Sequence, residues 1–123
     1  MEGPDKILII DDDARNIFAL TAVLKAKGFV CISASSAQDG LTLLAADKTI
    51  RIVLLDIMMP DMDGYETVTT IRKMPGIEKI PVIAVTAQAM IGDREKALSA
   101  GADHYISKPV DVDKLLYLLK QYL

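Results

Sequence analysis

Four short apolar segments each lead into a side chain that can do chemistry. Asp11 and Asp12 follow the first, Asp56 the second, Thr86 the third and Lys108 the fourth. If these ends meet, the carboxylates repel one another by roughly 4 kcal/mol per pair at 4 Å and an effective dielectric near 20. Three of them cannot all stay ionised without a cation or raised pKa values. An acidic site built only from oxygen ligands suits Mg²⁺, which often also takes a phosphate oxygen.

The same residues are suited to phosphoryl transfer. A carboxylate can act as the nucleophile toward phosphorus, as in aspartyl-phosphate intermediates. A divalent ion would neutralise charge between the attacking carboxylate and the phosphoryl group, and the ammonium of Lys108 would stabilise the remaining phosphate oxygens. The set therefore indicates a site that phosphorylates one of its own aspartates.

The segment that ends in Asp56 organises the rest of the chain. Residues 52–55 are apolar without a break, and turn residues follow from Pro60 to Gly64. An uninterrupted apolar segment of this length is typical of a strand buried on both faces. Since binding sites in open α/β sheets lie at the carboxyl ends of the strands, we expect Asp56 to lie at such a site.

The remaining pattern alternates strands with helices. Strands are predicted at 6–10, 29–32, 52–55, 81–85 and 104–106, and a helix follows each of them, the fourth over 88–100. Helix starts are predicted from four capping positions, Asp12 or Asp13, Ser36, Asp63 and Asp111. Gly40 lies inside a helical segment and predicts a close packing contact. This (βα)₅ pattern favours an α/β fold with a parallel sheet covered on both faces.

Length and composition favour one domain over residues 1–123. The chain is 51% apolar and 25% charged, with a formal net charge of −3. This balance does not favour a nucleic-acid or membrane surface. A single cysteine, Cys31, and the absence of a secretory pattern at the N-terminus predict a cytoplasmic location.

In these features the chain resembles the receiver domains of two-component response regulators, from about residue 6 to residue 123. The matching motifs are Asp11-Asp12, residues 55–64, Val85-Thr86-Ala87, Gly101-Ala102-Asp103 and Lys108-Pro109. The resemblance implies a flavodoxin-like, doubly wound sheet with strand order 2-1-3-4-5. It also implies a protein that is not an enzyme beyond its own phosphorylation and dephosphorylation.

The resemblance assigns a role to each residue of the predicted site. Asp56 would accept the phosphoryl group, and Thr86 and Lys108 would contact it. Magnesium would be held by the side chains of Asp12 and Asp56 and the carbonyl of Met58, with Asp11 in support.

Further implied features concern the switch and the output. Thr86 and Tyr105 would form the switch, in which Tyr105 turns inward when Thr86 moves toward the phosphoryl group. The Lys108-Pro109 bond would be cis. The output face would comprise the helix at 88–100, the fifth strand and the last helix.

The resemblance also implies partners. A histidine kinase or a phosphotransfer protein would donate the phosphoryl group, and a downstream protein or domain, or a second copy after phosphorylation, would bind the output face. Residues 13–16 and 81–90 look like receivers attached to hybrid histidine kinases, so a free-standing regulator and a domain of a larger protein both stay open.

Three alternatives compete with this interpretation. A phosphatase of the haloacid dehalogenase type would use Asp11 as the nucleophile, but Arg15 stands where such enzymes usually have Thr or Val. A flavodoxin-like cofactor module would need a phosphate-binding loop after the first strand, where Asp11-Asp12-Asp13 would repel phosphate. A receiver that is never phosphorylated is the third.

Overall fold

The computed structural model describes residues 5–59, 63–87 and 92–123, and predictions for Pro60, Asp61, Met62 and Gln88 lie outside them. Strands and helices alternate through these residues as β1 Lys6–Ile10, α1 Ala14–Ala26, β2 Val30–Ala34, α2 Ala37–Ala46, β3 Ile50–Asp56, α3 Gly64–Ile71, β4 Val82–Thr86, α4 Asp93–Ala100, β5 His104–Ser107 and α5 Val112–Tyr122. The predicted (βα)₅ pattern is confirmed.

The five strands form one parallel sheet in the order β2-β1-β3-β4-β5, as the resemblance implied. Alternate residues of the central strands enter different cores, because successive side chains point to opposite faces. Ile52 and Leu54 pack with α1 and α5, whereas Val53 and Leu55 pack with α2, α3 and α4. Both faces are thus covered, which explains why the central strands are apolar without alternation.

Strand register brings the polar strand ends to one edge. Ile10 of β1 pairs with Leu55 of β3, so Asp11 and Asp56 follow at the same level. Asp56 pairs with Val85, the residue before Thr86. We call this carboxyl-terminal edge of the sheet the acidic edge.

Side-chain caps begin four of the helices, because an acceptor at this position satisfies a backbone N–H that the helix leaves unpaired. The side chains that accept such a hydrogen bond are Asp13, Ser36, Asp63 and Asp111, at α1, α2, α3 and α5. These capping predictions are confirmed, with Asp13 rather than Asp12 at α1.

Two glycines lie where a side chain would not fit. A Cβ atom on Gly40 would approach the Ile10 side chain to 2.4 Å, which confirms the predicted close contact between α2 and β1. A Cβ atom on Gly64 would lie 2.5 Å from the Cα atom of Ile57. The start of α3 therefore packs directly against the backbone that follows Asp56.

The predicted boundaries differ from the structure in several places. The second strand was predicted at 29–32 but occupies Val30–Ala34, because its exposed edge position leaves it without a clear apolar pattern. The third strand extends to Ile50 and includes Asp56 itself. The turn residues Met74-Pro75-Gly76 predict the end of the third helix, but α3 already ends at Ile71, with Arg72 as its C-terminal cap.

Among the described residues, every helix is too short or too polar to cross a membrane.

Candidate functional site

Three carboxylates converge at the acidic edge. Oxygen atoms of Asp11, Asp12 and Asp56 lie within 4.8 Å of one another. Asp11 and Asp56 are buried, with 3% and 5% of their surface exposed, whereas Asp12 is exposed. The predicted cluster is therefore present, and it faces solvent on the side of Asp12.

Asp11 is held by three donors. Its Oδ1 accepts from the backbone N–H of Asp13 at 2.9 Å, and its Oδ2 accepts from the side-chain amide of Asn16 and from Nζ of Lys108 at 3.1 Å. The contribution of Asn16 was not predicted. Its position in the first turn of α1, five residues after Asp11, is the signal that could have identified it.

Among the described residues, Asp56 has fewer hydrogen-bond partners than Asp11. Its Oδ1 accepts from the backbone N–H of Met58 at 3.0 Å, and its Oδ2 lies 3.5 Å from Nζ of Lys108. Burial raises the pKa of Asp56, the hydrogen bond from Met58 opposes that rise, and the negative charge of Asp11 adds to it. The net effect places this pKa above its ordinary value, as expected for a carboxylate crowded by another.

Lys108 is the cation that joins two of these carboxylates. Burial lowers its pKa, but the hydrogen bond to Asp11 and the charge of Asp56 outweigh burial, so the pKa lies above its ordinary value. In the described residues, Lys108 pairs with two of the three carboxylates, which leaves an excess of negative charge that a further cation can neutralise.

Thr86 and Tyr105 lie on the strands next to the cluster. Thr86 is buried at the end of β4, and its carbonyl accepts from the backbone N–H of Lys108 at 2.6 Å. Tyr105 lies on β5, and its hydroxyl oxygen is buried without a hydrogen-bond partner among the described residues. Burial raises its pKa, and the charge of Asp93 raises it further. The Lys108-Pro109 bond is cis, as the resemblance implied.

The donor set of this cluster fits a magnesium ion. Carboxylate oxygens are the ligands that Mg²⁺ prefers, and it usually keeps several waters in addition. The exposed position of Asp12 leaves room for such waters and for a phosphate oxygen.

Comparison with known proteins decides the family. The model of the response regulator receiver domain matches residues 7–120, almost the whole chain. The chain belongs to the response regulator receiver domain family.

The chain is also similar to individual proteins and to solved structures. The chain is 32% identical over 120 residues to the polar-differentiation response regulator DivK of Brucella anthropi, covering 98% of this chain and 97% of that protein. It is 38% identical to hybrid signal transduction histidine kinase I of Dictyostelium discoideum, of which it covers only 7%. A CheY-like receiver domain structure from Methanospirillum hungatei shares 32% of its sequence at a TM-score of 0.86, over 97% of this chain and 93% of that one.

Membership of the family establishes the general role. Receiver domains are signalling modules rather than classical enzymes, and they generally bind Mg²⁺ at an acidic pocket. They interact with histidine kinases or phosphotransfer proteins in two-component phosphorelays.

Proposed function

We propose that residues 1–123 form one receiver domain in which Asp56 accepts a phosphoryl group from a histidine kinase or phosphotransfer protein. One observation carries this proposal. Asp56 ends the central strand within 4.8 Å of two further carboxylates and 3.5 Å from the ammonium of Lys108. A nucleophile, a cation and a group of metal ligands therefore meet in one place.

The metal would be held by the side chains of Asp12 and Asp56 and the carbonyl of Met58, with Asp11 in support. When bound, magnesium supplies the positive charge that lets an anionic carboxylate approach an anionic phosphoryl group. The excess of carboxylates over ammonium groups at the acidic edge supports this assignment.

The hydrogen bonds favour Asp56 over Asp11 as the nucleophile. Both oxygens of Asp11 already accept from internal donors, three in total, whereas Asp56 accepts one backbone hydrogen bond and lies at a longer distance from Lys108. In the transfer, an oxygen of Asp56 forms a bond to phosphorus. The bond from phosphorus to the donor's imidazole nitrogen breaks, and its electron pair stays on that nitrogen.

Lys108 and Thr86 would contact the transferred group. Because the pKa of Lys108 lies above its ordinary value, its ammonium stays charged through the transfer and stabilises the phosphoryl oxygens. The hydroxyl of Thr86 would donate to another of these oxygens.

The new charge would be transmitted through Thr86 and Tyr105 to the output face formed by α4, β5 and α5. The buried hydroxyl of Tyr105, which has no partner among the described residues, supports this switch role, because a buried polar group without a hydrogen bond lowers its free energy by moving to where it can form one. Tyr117 on α5 is 67% exposed and offers contact area to a downstream protein or a second copy.

Mass mapping after treatment with acetyl phosphate tests the proposal. We expect one added phosphoryl group on Asp56 in the presence of Mg²⁺, and none with a chelator or in the Asp56→Asn variant. Asp113→Asn, an exposed aspartate in the first turn of α5, is the matched control and should label like the wild type.

The other outcomes each contradict the proposal in a different way. Label on Asp11 would support the phosphatase alternative, and flavin absorbance in the purified protein would support the cofactor module. A chain that takes no label from acetyl phosphate or from a kinase would be a receiver that is not phosphorylated.

A further inference from the structure

A cavity lies at the edge of the sheet opposite the carboxylates. It has a volume of about 480 Å³ and is formed where β3 begins and where the chain enters β4. Its apolar lining consists of Ile50, Ile77, Ile80 and Pro81. Small-molecule sites usually have volumes of roughly 300–1,000 Å³, so the size is suitable.

The charged part of the lining is mainly positive. Lys48, Arg51 and Lys79 contribute three positive charges, and Glu78 contributes one negative charge. Arg51 is paired with Asp5 at 3.0 Å. Within residues 5–59, 63–87 and 92–123, neither Lys48 nor Lys79 forms an ion pair. With Arg51 paired and Glu78 beside the two lysines, the lining keeps a small excess of positive charge.

The backbone around the cavity is already engaged in hydrogen bonds. The N–H of Ile80 donates to the carbonyl of Ile77 at 3.0 Å, and the carbonyls of Glu78 and Ile80 accept from Arg72. The carbonyl of Pro81 accepts from the backbone of β3. A ligand therefore finds apolar side chains and ammonium groups here but few free backbone partners.

From these observations we propose that the cavity binds a small amphipathic anion with an aliphatic body and one carboxylate or phosphate group. The aliphatic body would pack on Ile77 and Pro81, the partly exposed apolar residues of the lining, and the anionic group would pair with Lys48 or Lys79. Among the lining residues that the structure describes, none is aromatic, so none of them can stack on a flat ring. This site is independent of phosphorylation at Asp56.

Titration of the isotope-labelled protein with decanoate, followed by amide NMR, tests the proposal. We expect saturable shifts at the amides of residues 48–51 and 76–80. Decanol keeps the chain but removes the charge, and acetate and inorganic phosphate keep the charge but remove the chain. Each of these probes should bind more weakly than decanoate.

Variants distinguish charge pairing from nonspecific hydrophobic binding. The Lys48→Gln/Lys79→Gln variant should bind decanoate about fivefold more weakly, the size expected for losing exposed ion pairs. The Lys48→Arg/Lys79→Arg variant should keep the affinity, as should the control Lys114→Gln/Lys120→Gln, which changes the charge equally on α5.

Three results would overturn the proposal. The first is an absence of saturable shifts at the cavity amides, and the second is equal binding of decanoate and decanol. The third is phosphate binding as tight as decanoate binding, which would indicate a plain anion site. Label on Asp56 can be mapped in the same samples, so failure here is distinguishable from failure of the proposed phosphorylation.

Discussion

Two groups of charged residues, one at each edge of the sheet, differ in how well their charges are matched. At the acidic edge, Asp11, Asp12 and Asp56 lie together, and in the described part of the chain the ammonium of Lys108 pairs with Asp11 and Asp56. Like charges this close destabilise the fold, and burial of two of the carboxylates strengthens the effect.

At the other edge, one group of residues beside the cavity pairs a single cation with a single carboxylate. The guanidinium of Arg72 donates to the carboxylate of Asp103 at 2.9 Å and to the carbonyls of Gly101, Glu78 and Ile80. Asp103 in turn accepts from the backbone N–H of Val82. We call these residues the arginine cluster.

The difference separates groups that stabilise the fold from groups that await a ligand. In the arginine cluster every strong donor has an acceptor, so removing one member leaves others unsatisfied. At the acidic edge the mismatch can only be relieved from outside the chain, by a cation or by neutralising a carboxylate. The sign of the stability change on mutation should therefore differ between the two edges.

The largest effect is expected for Arg72→Met, which should lower the free energy of unfolding by about 2–3 kcal/mol. Loss of a fully buried pair costs about 3–5 kcal/mol, and the smaller figure applies because Asp103 keeps 38% of its side chain exposed. Denaturant unfolding measures the change, and the exposed Arg94→Met is the matched control. Equal stabilities for these two variants would show that the arginine cluster is not structural.

A change of opposite sign is expected for Asp56→Asn in the absence of Mg²⁺. Removing one of three crowded carboxylates should raise the free energy of unfolding by about 1 kcal/mol, because like-charge repulsion falls. Adding Mg²⁺ should stabilise the wild type in proportion to the logarithm of its concentration, and this variant much less.

Thermal unfolding with magnesium or with a chelator measures both effects, and Asp113→Asn controls for the change in net charge. If Asp56→Asn destabilised the chelated protein, the repulsion at the acidic edge would be too weak to distinguish the two edges.

The acidic edge could be predicted from sequence because strand ends carry their own signals. Asp56 follows a run of apolar residues, and parallel strands bring such ends together whatever their spacing in the chain. The order of the strands needed the resemblance, since alternation of strands and helices alone permits several orders.

The arginine cluster could not be predicted in the same way. Arg72 and Asp103 are 31 residues apart, and an arginine at the end of an amphipathic helix usually faces solvent. Their pairing depends on the exact ends of α3 and β5, which are the least specified parts of a sequence pattern.

A smaller effect at the acidic edge concerns the lifetime of the phosphorylated state, and it rests on the proposed function. The Met58 side chain is 49% exposed two residues after Asp56 and cannot orient a water by hydrogen bonding. We expect Met58→Asn to shorten the half-life of the aspartyl phosphate several-fold, because an amide can position the attacking water.

Decay of the labelled protein over time measures this half-life. Met58→Leu, which also lacks a hydrogen-bonding group, should match the wild type. Equal half-lives for Met58→Asn and wild type would remove Met58 from the determinants of hydrolysis.

The smallest effect concerns a second matched pair away from the acidic edge, Lys6 and Asp47. The hydrogen bond from Lys6 at 2.7 Å, followed by those from Thr49, lowers the pKa of Asp47 from 3.8 to about 2. A carboxylate whose pKa is lower in the folded state stabilises the protein above its unfolded pKa, and this contribution disappears as the pH falls through the folded value. Asp47→Asn should therefore be less stable than wild type at neutral pH, with a difference that shrinks between pH 4 and pH 2.

Denaturant unfolding from neutral pH to the lowest pH at which the chain folds measures this difference in the free energy of unfolding. In the Lys6→Met background, the loss of stability caused by Asp47→Asn should be smaller over the same pH range. A difference that stayed constant on acidification would mean that the charge of Asp47 contributes nothing, and matching of charges would then stabilise only the more buried arginine cluster.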